Sequence, residues 1–464
     1  MSEKTQADIL KEELFYSPEH AAYSCEEGEI EKADKFCEGY MKFLDACKTE
    51  REAVVYTKAL AEKEGFIPFD PKASYKAGDK VYYDNRGKAL ILCVFGTEGL
   101  EKGAKIVASH IDSPRLDVKP NPLYEDAELA LFKTHYYGGI KKYQWTAIPL
   151  SLHGVIFRKD GSSVTVRLGD EEGDPRFVVT DLLPHLDKHS KNIEDAIKGE
   201  DLNILVGSRP FCSDKCSENV KLNIMKILNE KYGIIEADFL SAELELVPAF
   251  NAVDVGFDRS LIGSYGHDDR VCAYPSIMAA FAAKAPKYTS VTVITDKEET
   301  GSDGNTGLHS AYLKHFIADI AKTQGLCGRD VIRASECLSA DVNAGFDPTY
   351  PSVHDKLNAA FLNKGIVVTK YTGSRGKSST NDANAEFVSK IRTLFDGEKV
   401  AWQTGELGKV DEGGGGTVAK YVANLGAEVV DVGVPVLSMH APFEIVSKLD
   451  VYMAFKGFKA FLEQ

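Results

Sequence analysis

The strongest constraint on this fold is a regular alternation of short apolar runs and helix-like stretches. The runs are only five to seven residues long, which is typical of strands buried on both faces of a sheet. They lie at residues 89–95, 104–109, 290–295, 365–369 and 428–434. Stretches with apolar residues three and four positions apart separate the later runs and predict helices. We therefore predict an α/β fold whose mainly parallel sheet is flanked by helices.

The middle of the chain has a different character. Residues 119–248 contain β-rich stretches such as SLHGVIFR and SSVTVRLGD, followed by a polar segment with little pattern. This interval falls between the first and the later strands of the predicted parallel sheet. We therefore predict one domain from residues 1–118 and 249–464, and an inserted β-rich second domain from residues 119–248.

Charge and composition limit the partners of the chain. Its 464 residues carry 55 Lys and Arg against 70 Asp and Glu, giving a net charge of -15, which argues against nucleic-acid binding. No apolar run reaches the roughly 18 residues of a membrane span, and the start resembles no signal peptide. The nine cysteines are scattered and odd in number, which is typical of reduced thiols. We therefore predict a cytoplasmic protein that binds neither nucleic acid nor membrane.

Acidic residues and histidines follow the predicted strands. In open α/β sheets, active sites gather at the carboxyl ends of the strands, so these positions are the candidates for a site. They are His110, Asp112, Glu298, Glu299, Asp341 and His440, with the pair Asp268 and Asp269 just before a predicted helix. Each element alone has an ordinary explanation, since an Asp pair often caps a helix and adjacent glutamates often face solvent. Together they predict a functional site, because neighbouring buried carboxylates need a cation or a proton between them.

Two histidines and three carboxylates are a suitable ligand set for two divalent metal ions. Zinc is the first choice, and cobalt and manganese also suit these ligands. One carboxylate can bridge both ions. Of the adjacent Glu298 and Glu299, one can bind metal while the other takes a proton from water. Asp112, two residues after His110 on an extended segment, can hold the imidazole by accepting its other N–H.

Five motifs together resemble one known family. ASHIDSPRLDVKP, GHDDRV, DKEETGS, SADVNAGFDPTYP and VLSMHAPFE are similar to the aspartyl aminopeptidase family of two-zinc exopeptidases, over nearly the whole chain. The resemblance implies the zinc-peptidase fold and the removal of N-terminal residues from peptides. It also implies a peptide bond after Asp268 that can be cis. The roles it implies are terminal metal ligands at His110, Glu299, Asp341 and His440, a bridging ligand at Asp268, the general base at Glu298 and support of His110 by Asp112.

The resemblance also concerns assembly. It implies that the inserted domain makes dimer contacts and that dimers assemble into a hollow dodecamer. Within that domain, TDLLPHLDK is similar to a segment of the family that would bring His185 near the active site of a neighbouring subunit. There His185 could stabilise the oxyanion; it could also bind metal or be an ordinary interface histidine.

One departure from the family concerns specificity. Many members have Trp-Phe-Asp-Arg-Asp-Leu after a Tyr-Gly-Gly segment, whereas residues 145–150 here read WTAIPL. The charged residues of that segment are absent, so an acidic N-terminal preference does not follow from the sequence. Lys370, Arg375 and Lys377 are candidate cations for an acidic side chain, with a solvated loop as the alternative. Other functions that fit the residues are a two-metal deacylase or carboxypeptidase and a non-catalytic self-assembling shell protein.

Overall fold

The computed structural model describes residues 5–186, 192, 196–212, 216–373 and 375–464. The strands are β1 Ile67–Pro68, β2 Lys80–Asn85, β3 Ala89–Val94, β4 Ala104–His110, β5 Arg115–Asp126, β6 Leu129–Tyr137, β7 Leu150–Phe157, β8 Ser163–Leu168, β9 Val178–Val179, β10 Ile204–Gly207, β11 Ala242–Pro248, β12 Val253–Val255, β13 Leu261–Ser264, β14 Thr289–Thr295, β15 Glu336–Ser339, β16 Asn343–Ala344, β17 Ile366–Thr369, β18 Trp402–Thr404, β19 Glu428–Gly433, β20 Pro435–Val436 and β21 Glu444–Ser447. The helices are α1 Gln6–Leu14, α2 Glu29–Ala46, α3 Glu50–Lys63, α4 Asn219–Tyr232, α5 His267–Ala282, α6 Tyr312–Thr323, α7 Gly328–Ala334, α8 Ala385–Gly397, α9 Ala419–Ala423 and α10 Lys448–Leu462.

The larger sheet is mainly parallel at its centre. Its strand order is β1-β2-β3-β14-β4-β15-β19-β17-β18, and β4 lies parallel to both β14 and β15. Because these three strands point the same way, their carboxyl ends meet at one edge of the sheet. The predicted α/β class with a mainly parallel, helix-flanked sheet is confirmed.

Helices cover both faces of this sheet, which explains why its strands are apolar throughout. In β3, Leu90 and Leu92 pack in one hydrophobic cluster with residues of α2, α5 and α10. Ile91 and Cys93 point the other way and pack with residues of α6, α7 and α9. Since side chains alternate along a strand, a sheet covered on both faces needs apolar residues at every position.

The smaller sheet is antiparallel, with strand order β8-β7-β11-β5-β6-β10-β9. It has its own apolar core, in which Trp145 and Leu150 are fully buried. Its strands come from residues 115–248, between β4 and β12 in the chain. The domain division at residues 119–248 stays a prediction. No helix within the described ranges is long and apolar enough to cross a membrane.

A buried ion-pair group joins the N-terminal helices to the smaller sheet. Lys48 Nζ lies 2.8 Å from Asp170 Oδ1 and donates to the Pro248 carbonyl at 2.9 Å. His153 lies 3.1 Å from Asp170 through Nε2 and 2.8 Å from Glu52 through Nδ1. The group therefore connects α3 and the segment before it with β7, with the end of β11 and with the turn after β8.

Asp170→Asn is expected to lower the free energy of unfolding by about 1–3 kcal/mol, because it leaves the buried Lys48 ammonium without its carboxylate. Burial raises the pKa of Asp170, but His153 and Lys48 outweigh burial and lower it. Burial lowers the pKa of His153, but Asp170 and Glu52 outweigh burial and raise it. Ionised Asp170 stabilises the fold above about pH 4, and this stabilisation is lost as the pH falls. Protonated His153 stabilises the fold below about pH 6.5, and this stabilisation is lost as the pH rises.

The stability difference in chemical denaturation should therefore be largest between about pH 4 and 6.5. Glu172→Gln, at an exposed position nearby, is the control and should change little. A difference between wild type and Asp170→Asn that is equal at all pH values would contradict this account.

Candidate metal centre

Three neighbouring strands supply most of the candidate residues. His110 is the last residue of β4, while Glu298 and Glu299 follow the end of β14 and Asp341 follows the end of β15. These strands are adjacent in the order β14-β4-β15, so their ends deliver the side chains to one place. Residues chosen in the sequence because they follow predicted strands therefore lie close together in the structure.

Asp268 and His440 reach the same cluster from other elements. Asp268 lies at the start of α5, where it and Asp269 have non-helical backbone angles and are joined by a cis peptide bond. The Ser113 hydroxyl donates to the Asp268 carbonyl at 2.7 Å. His440 lies between β20 and β21 with a φ of 64°, in the left-handed region. The cis bond agrees with what the family resemblance implies.

Asp268 lies between the two histidines. Its Oδ1 is 3.2 Å from His110 Nε2, and its Oδ2 is 3.2 Å from His440 Nε2. Asp341 Oδ1 is 3.6 Å from His110 Nε2, and Glu299 Oε2 is 3.5 Å from His440 Nε2. We call His110, Asp341 and Asp268 the His110 half-site, and His440, Glu299 and Asp268 the His440 half-site.

Hydrogen bonds from Nδ1 orient both imidazoles. His110 Nδ1 is 3.0 Å from the backbone carbonyl of Asp112 and 3.3 Å from its carboxylate. His440 Nδ1 is 2.7 Å from the Gly139 carbonyl. A carbonyl oxygen only accepts, so each Nδ1 carries a proton and each Nε2 is the nitrogen that is left to bind a metal ion beside Asp268. This is the tautomer that a metal-binding histidine needs.

The unpaired atoms of the cluster fit a cation. His110 Nε2, Asp268 Oδ1 and Glu299 Oε1 are buried and have no hydrogen-bond partner among the described residues. Burial lowers the pKa of His440, but Asp268 and Glu299 outweigh it and raise the pKa to about 11. Burial and the Asp268 carboxylate raise the pKa of Glu299. Several acceptor atoms thus converge at a place that favours positive charge. Divalent metal ions would supply that charge.

Glu298 is placed differently from Glu299. Its Oε2 is 3.9 Å from His110 Nε2, and it could also join His110 and Asp341 around an ion. Its side chain is 18% exposed, whereas that of Glu299 is 2% exposed. Burial, with Asp341 next, raises the pKa of Glu298 to about 8. Glu298 is therefore the more accessible of the two carboxylates, and a carboxylate with a raised pKa is a stronger base than an ordinary glutamate.

Sequence reasoning missed part of the support around this cluster. Glu444, buried four residues after His440, accepts from the backbone N–H of His440 at 2.8 Å and of Asp268 at 3.2 Å. Tyr137 donates its hydroxyl to Asp112 Oδ2 at 2.7 Å. Glu444 belongs to a quoted motif and Tyr137 to the Tyr-Gly-Gly segment, but a single Glu or Tyr carries no sequence signal for such a role.

Other candidates lie apart from the cluster. His185 is exposed on a turn and is not among the converging residues, and Asp187 and Lys188 of its segment lie outside the described residues. Lys370 and Lys377 both pair with Asp382, and all three side chains are close to half exposed. Asp382 therefore partly neutralises these two cations, which fits a solvated loop. Arg375 is also exposed.

Comparisons with known proteins identify the family. Residues 43–462 match the family described as aminopeptidase I zinc metalloprotease (M18). The probable M18 family aminopeptidase 1 of Clostridium acetobutylicum is 52% identical over 436 residues, covering 91% of this chain and 93% of that protein. The corresponding protein of Thermotoga maritima is 46% identical over 439 residues, covering 94% and 97%.

Solved structures agree with this result. The crystal structure of the Thermotoga maritima M18 aminopeptidase has a TM-score of 0.93 at 45% identity, covering 97% of this chain and 100% of that one. The structure of the Saccharomyces cerevisiae mApe1 dodecamer, at 19% identity and a TM-score of 0.75 over 94% and 97%, shows a likeness of fold alone. The predicted zinc-peptidase fold and family resemblance are confirmed. The chain belongs to the M18 family of zinc metalloproteases and is a zinc-dependent aminopeptidase.

Proposed function

We propose that this aminopeptidase works with two divalent metal ions, one in each half-site, bridged by Asp268. The carrying observation is that the two carboxylate oxygens of Asp268 face one imidazole each, both at 3.2 Å. Each half-site then offers one imidazole nitrogen, one terminal carboxylate and one oxygen of the shared carboxylate, which is a common ligand set for zinc. Zinc is the proposed metal, and cobalt or manganese would fit the same ligands.

The protein's own groups then divide the work. Bound metal ions would polarise the scissile carbonyl and lower the pKa of the attacking water. Glu298 accepts the proton of this water and passes it to the leaving amine. Its position supports the role, because it lies beside the His110 half-site yet remains partly exposed to water. Asp112 holds His110 and accepts from the backbone N–H groups of Glu298 and Glu299. It therefore fixes the position of the base relative to the ligands His110 and Glu299.

Assembly completes the proposal. We place the catalytic domain at residues 1–118 and 249–464 and the dimer contacts in the inserted domain at residues 119–248. Dimers would assemble into a dodecamer, as the mApe1 structure is a dodecamer of the same fold. His185 would then stabilise the oxyanion in a neighbouring subunit, which its exposure on a turn permits. The nine free cysteines support a cytoplasmic location.

The substrate class is a peptide with a free N-terminus. A panel of aminoacyl substrates, N-blocked peptides and peptides with free carboxyl ends separates this activity from that of a two-metal deacylase or carboxypeptidase. We expect turnover of free-amine substrates and none of N-blocked ones. The same panel measures whether the enzyme prefers N-terminal Asp or Glu. Two of the candidate cations for such a side chain, Lys370 and Lys377, are already paired with Asp382. Turnover of N-blocked substrates alone would overturn the aminopeptidase assignment.

Metal removal is expected to abolish activity and to lower the melting temperature, because the bound ions stabilise only the folded state. The protein is treated with a chelator, its metal content and oligomeric state are measured, and zinc, cobalt or manganese is returned. We expect about two ions per chain in the active form and recovery of activity on reloading. Full activity after complete metal removal would contradict the proposal. A protein that assembles but never binds metal or turns over substrate would favour a non-catalytic shell.

A further inference from the structure

A short segment of the smaller sheet contacts the supports of both half-sites. This segment, residues 137–139, comprises the last residue of β6 and the two glycines after it; we call it the β6 tip. It contacts Asp112 on the side of His110 and also contacts His440. The smaller sheet therefore reaches the metal centre of its own chain, independently of any subunit contact.

The first contact is the hydrogen bond of Tyr137. Its hydroxyl donates to Asp112 Oδ2 at 2.7 Å. The same carboxylate accepts from the backbone N–H of Glu298 at 3.1 Å and of Glu299 at 3.2 Å, and it lies 3.3 Å from His110 Nδ1. Asp112 thus links a metal ligand of each half-site to the base, and Tyr137 fixes the orientation of its carboxylate.

The ring of Tyr137 is itself held in place. The Arg115 guanidinium lies 4.0 Å from the ring centroid, in the geometry of a cation–π contact. Arg115 is buried and is paired with Glu50 of α3 at 3.2 Å and with Glu245 of β11 at 3.4 Å. Because both acidic partners are buried as well, the ring has little freedom to turn away from Asp112.

The second contact is made by the two glycines. The Gly139 carbonyl accepts from His440 Nδ1 at 2.7 Å. Gly138 has a φ of 73°, and a Cβ atom there would lie 3.1 Å from Glu299 Oε2 and 3.3 Å from Glu299 Cβ. A side chain at position 138 would therefore be strained and would press on a ligand of the His440 half-site.

We propose that the β6 tip is a positioning element for the metal centre, acting on the His110 half-site through Tyr137 and Asp112 and on the His440 half-site through Gly138 and Gly139. The proposal rests on the two-metal function above. Tyr137 is a positioning residue, because it reaches the metal ligands only through Asp112. The smaller sheet then has a role in metal retention within one chain, in addition to the predicted role in assembly.

The test measures metal affinity in two variants, each with a matched control. Tyr137→Phe is compared with Tyr136→Phe, the exposed neighbour on the same strand. Gly138→Ala is compared with Gly161→Ala, a glycine of positive φ with no atom near its Cβ position. Zinc and cobalt dissociation constants are measured by competition with a chelator, and the absorption spectrum of the cobalt form is recorded. Loss of an outer contact to a metal ligand typically weakens metal binding or activity by about 10- to 100-fold.

We expect both test variants to bind metal about 10- to 100-fold more weakly than their controls and to change the cobalt spectrum. For Tyr137→Phe, kcat should fall while KM changes little, because Tyr137 acts on the base and not on the substrate. Wild-type affinity, spectrum and kcat in both variants would overturn the proposal. If Tyr137→Phe does not fold, Gly138→Ala decides alone. If the wild-type protein binds only a single ion, the two-metal function is overturned. The β6 tip is then tested by comparing the affinity of the variants and of their controls for that ion.

Discussion

Glu298→Gln is expected to keep its bound metal while turnover falls by a factor on the order of 10² or more. Glutamine has nearly the same shape as glutamate but cannot accept a proton at neutral pH. Glu298 is the carboxylate that stands partly open to water, and its pKa is raised to about 8 by burial and by Asp341. The measurement is kcat and KM on a free-amine substrate, together with metal content after dialysis.

The adjacent residue provides the control. Glu299→Gln removes a carboxylate that lies 3.5 Å from His440 Nε2 and is almost fully buried, so this variant should lose metal as well as activity. The two variants share the same chemical change one position apart. A Glu298→Gln protein with near-normal turnover would exclude Glu298 as the base. One that lost metal as readily as Glu299→Gln would make it a ligand instead.

Asp268→Asn is expected to lower the metal content from two ions per chain to one at most, and to abolish detectable turnover. Each oxygen of Asp268 faces a different imidazole, and an amide offers only one acceptor oxygen and no negative charge. Loss of the shared carboxylate therefore weakens both half-sites together, unlike loss of a terminal ligand. Metal content by elemental analysis and calorimetric titration of the metal-free protein measure the effect.

Asp269→Asn is the matched control for this change. Asp269 is also buried, and its Oδ2 accepts from the His110 backbone N–H at 3.3 Å, a contact that an amide oxygen can keep. We expect this variant to bind two ions. If Asp268→Asn also bound two ions with wild-type affinity, the bridging role would be wrong, and the ions would have to be held by the terminal ligands alone.

The sequence predicts the larger sheet well because burial on both faces leaves a clear signal. The run at 104–109 corresponds to β4 and the run at 290–295 to β14, with each boundary within one residue. Polar residues after these two runs identify His110, Glu298 and Glu299 without reference to contacts. The direction in which neighbouring strands pair is harder to predict from the sequence. β17 lies antiparallel to β19, although the two sequences look alike.

Contacts between distant segments could not be predicted from the sequence. The approach of Gly139 to His440 joins residues 301 positions apart, and local composition at neither residue indicates it. The same holds for Glu444, whose carboxylate joins two backbone N–H groups from α5 and from the loop before β21. Such contacts depend on how distant elements of the fold are placed, whereas strand signals depend only on neighbouring residues. The family resemblance supplied the ligand roles, and the surrounding support became visible only in three dimensions.

The chain order of the two sheets has a consequence for biosynthesis. Strands β4 and β14 are direct neighbours in the larger sheet, yet all strands of the smaller sheet are translated between them. A ribosome therefore finishes the smaller sheet before the centre of the larger one can close. A nascent chain that stops just before Thr289 contains His110 and Asp268 but lacks Glu299, Asp341 and His440. Premature termination there thus yields a product without the proposed ligand set, which is complete only once His440 has been translated.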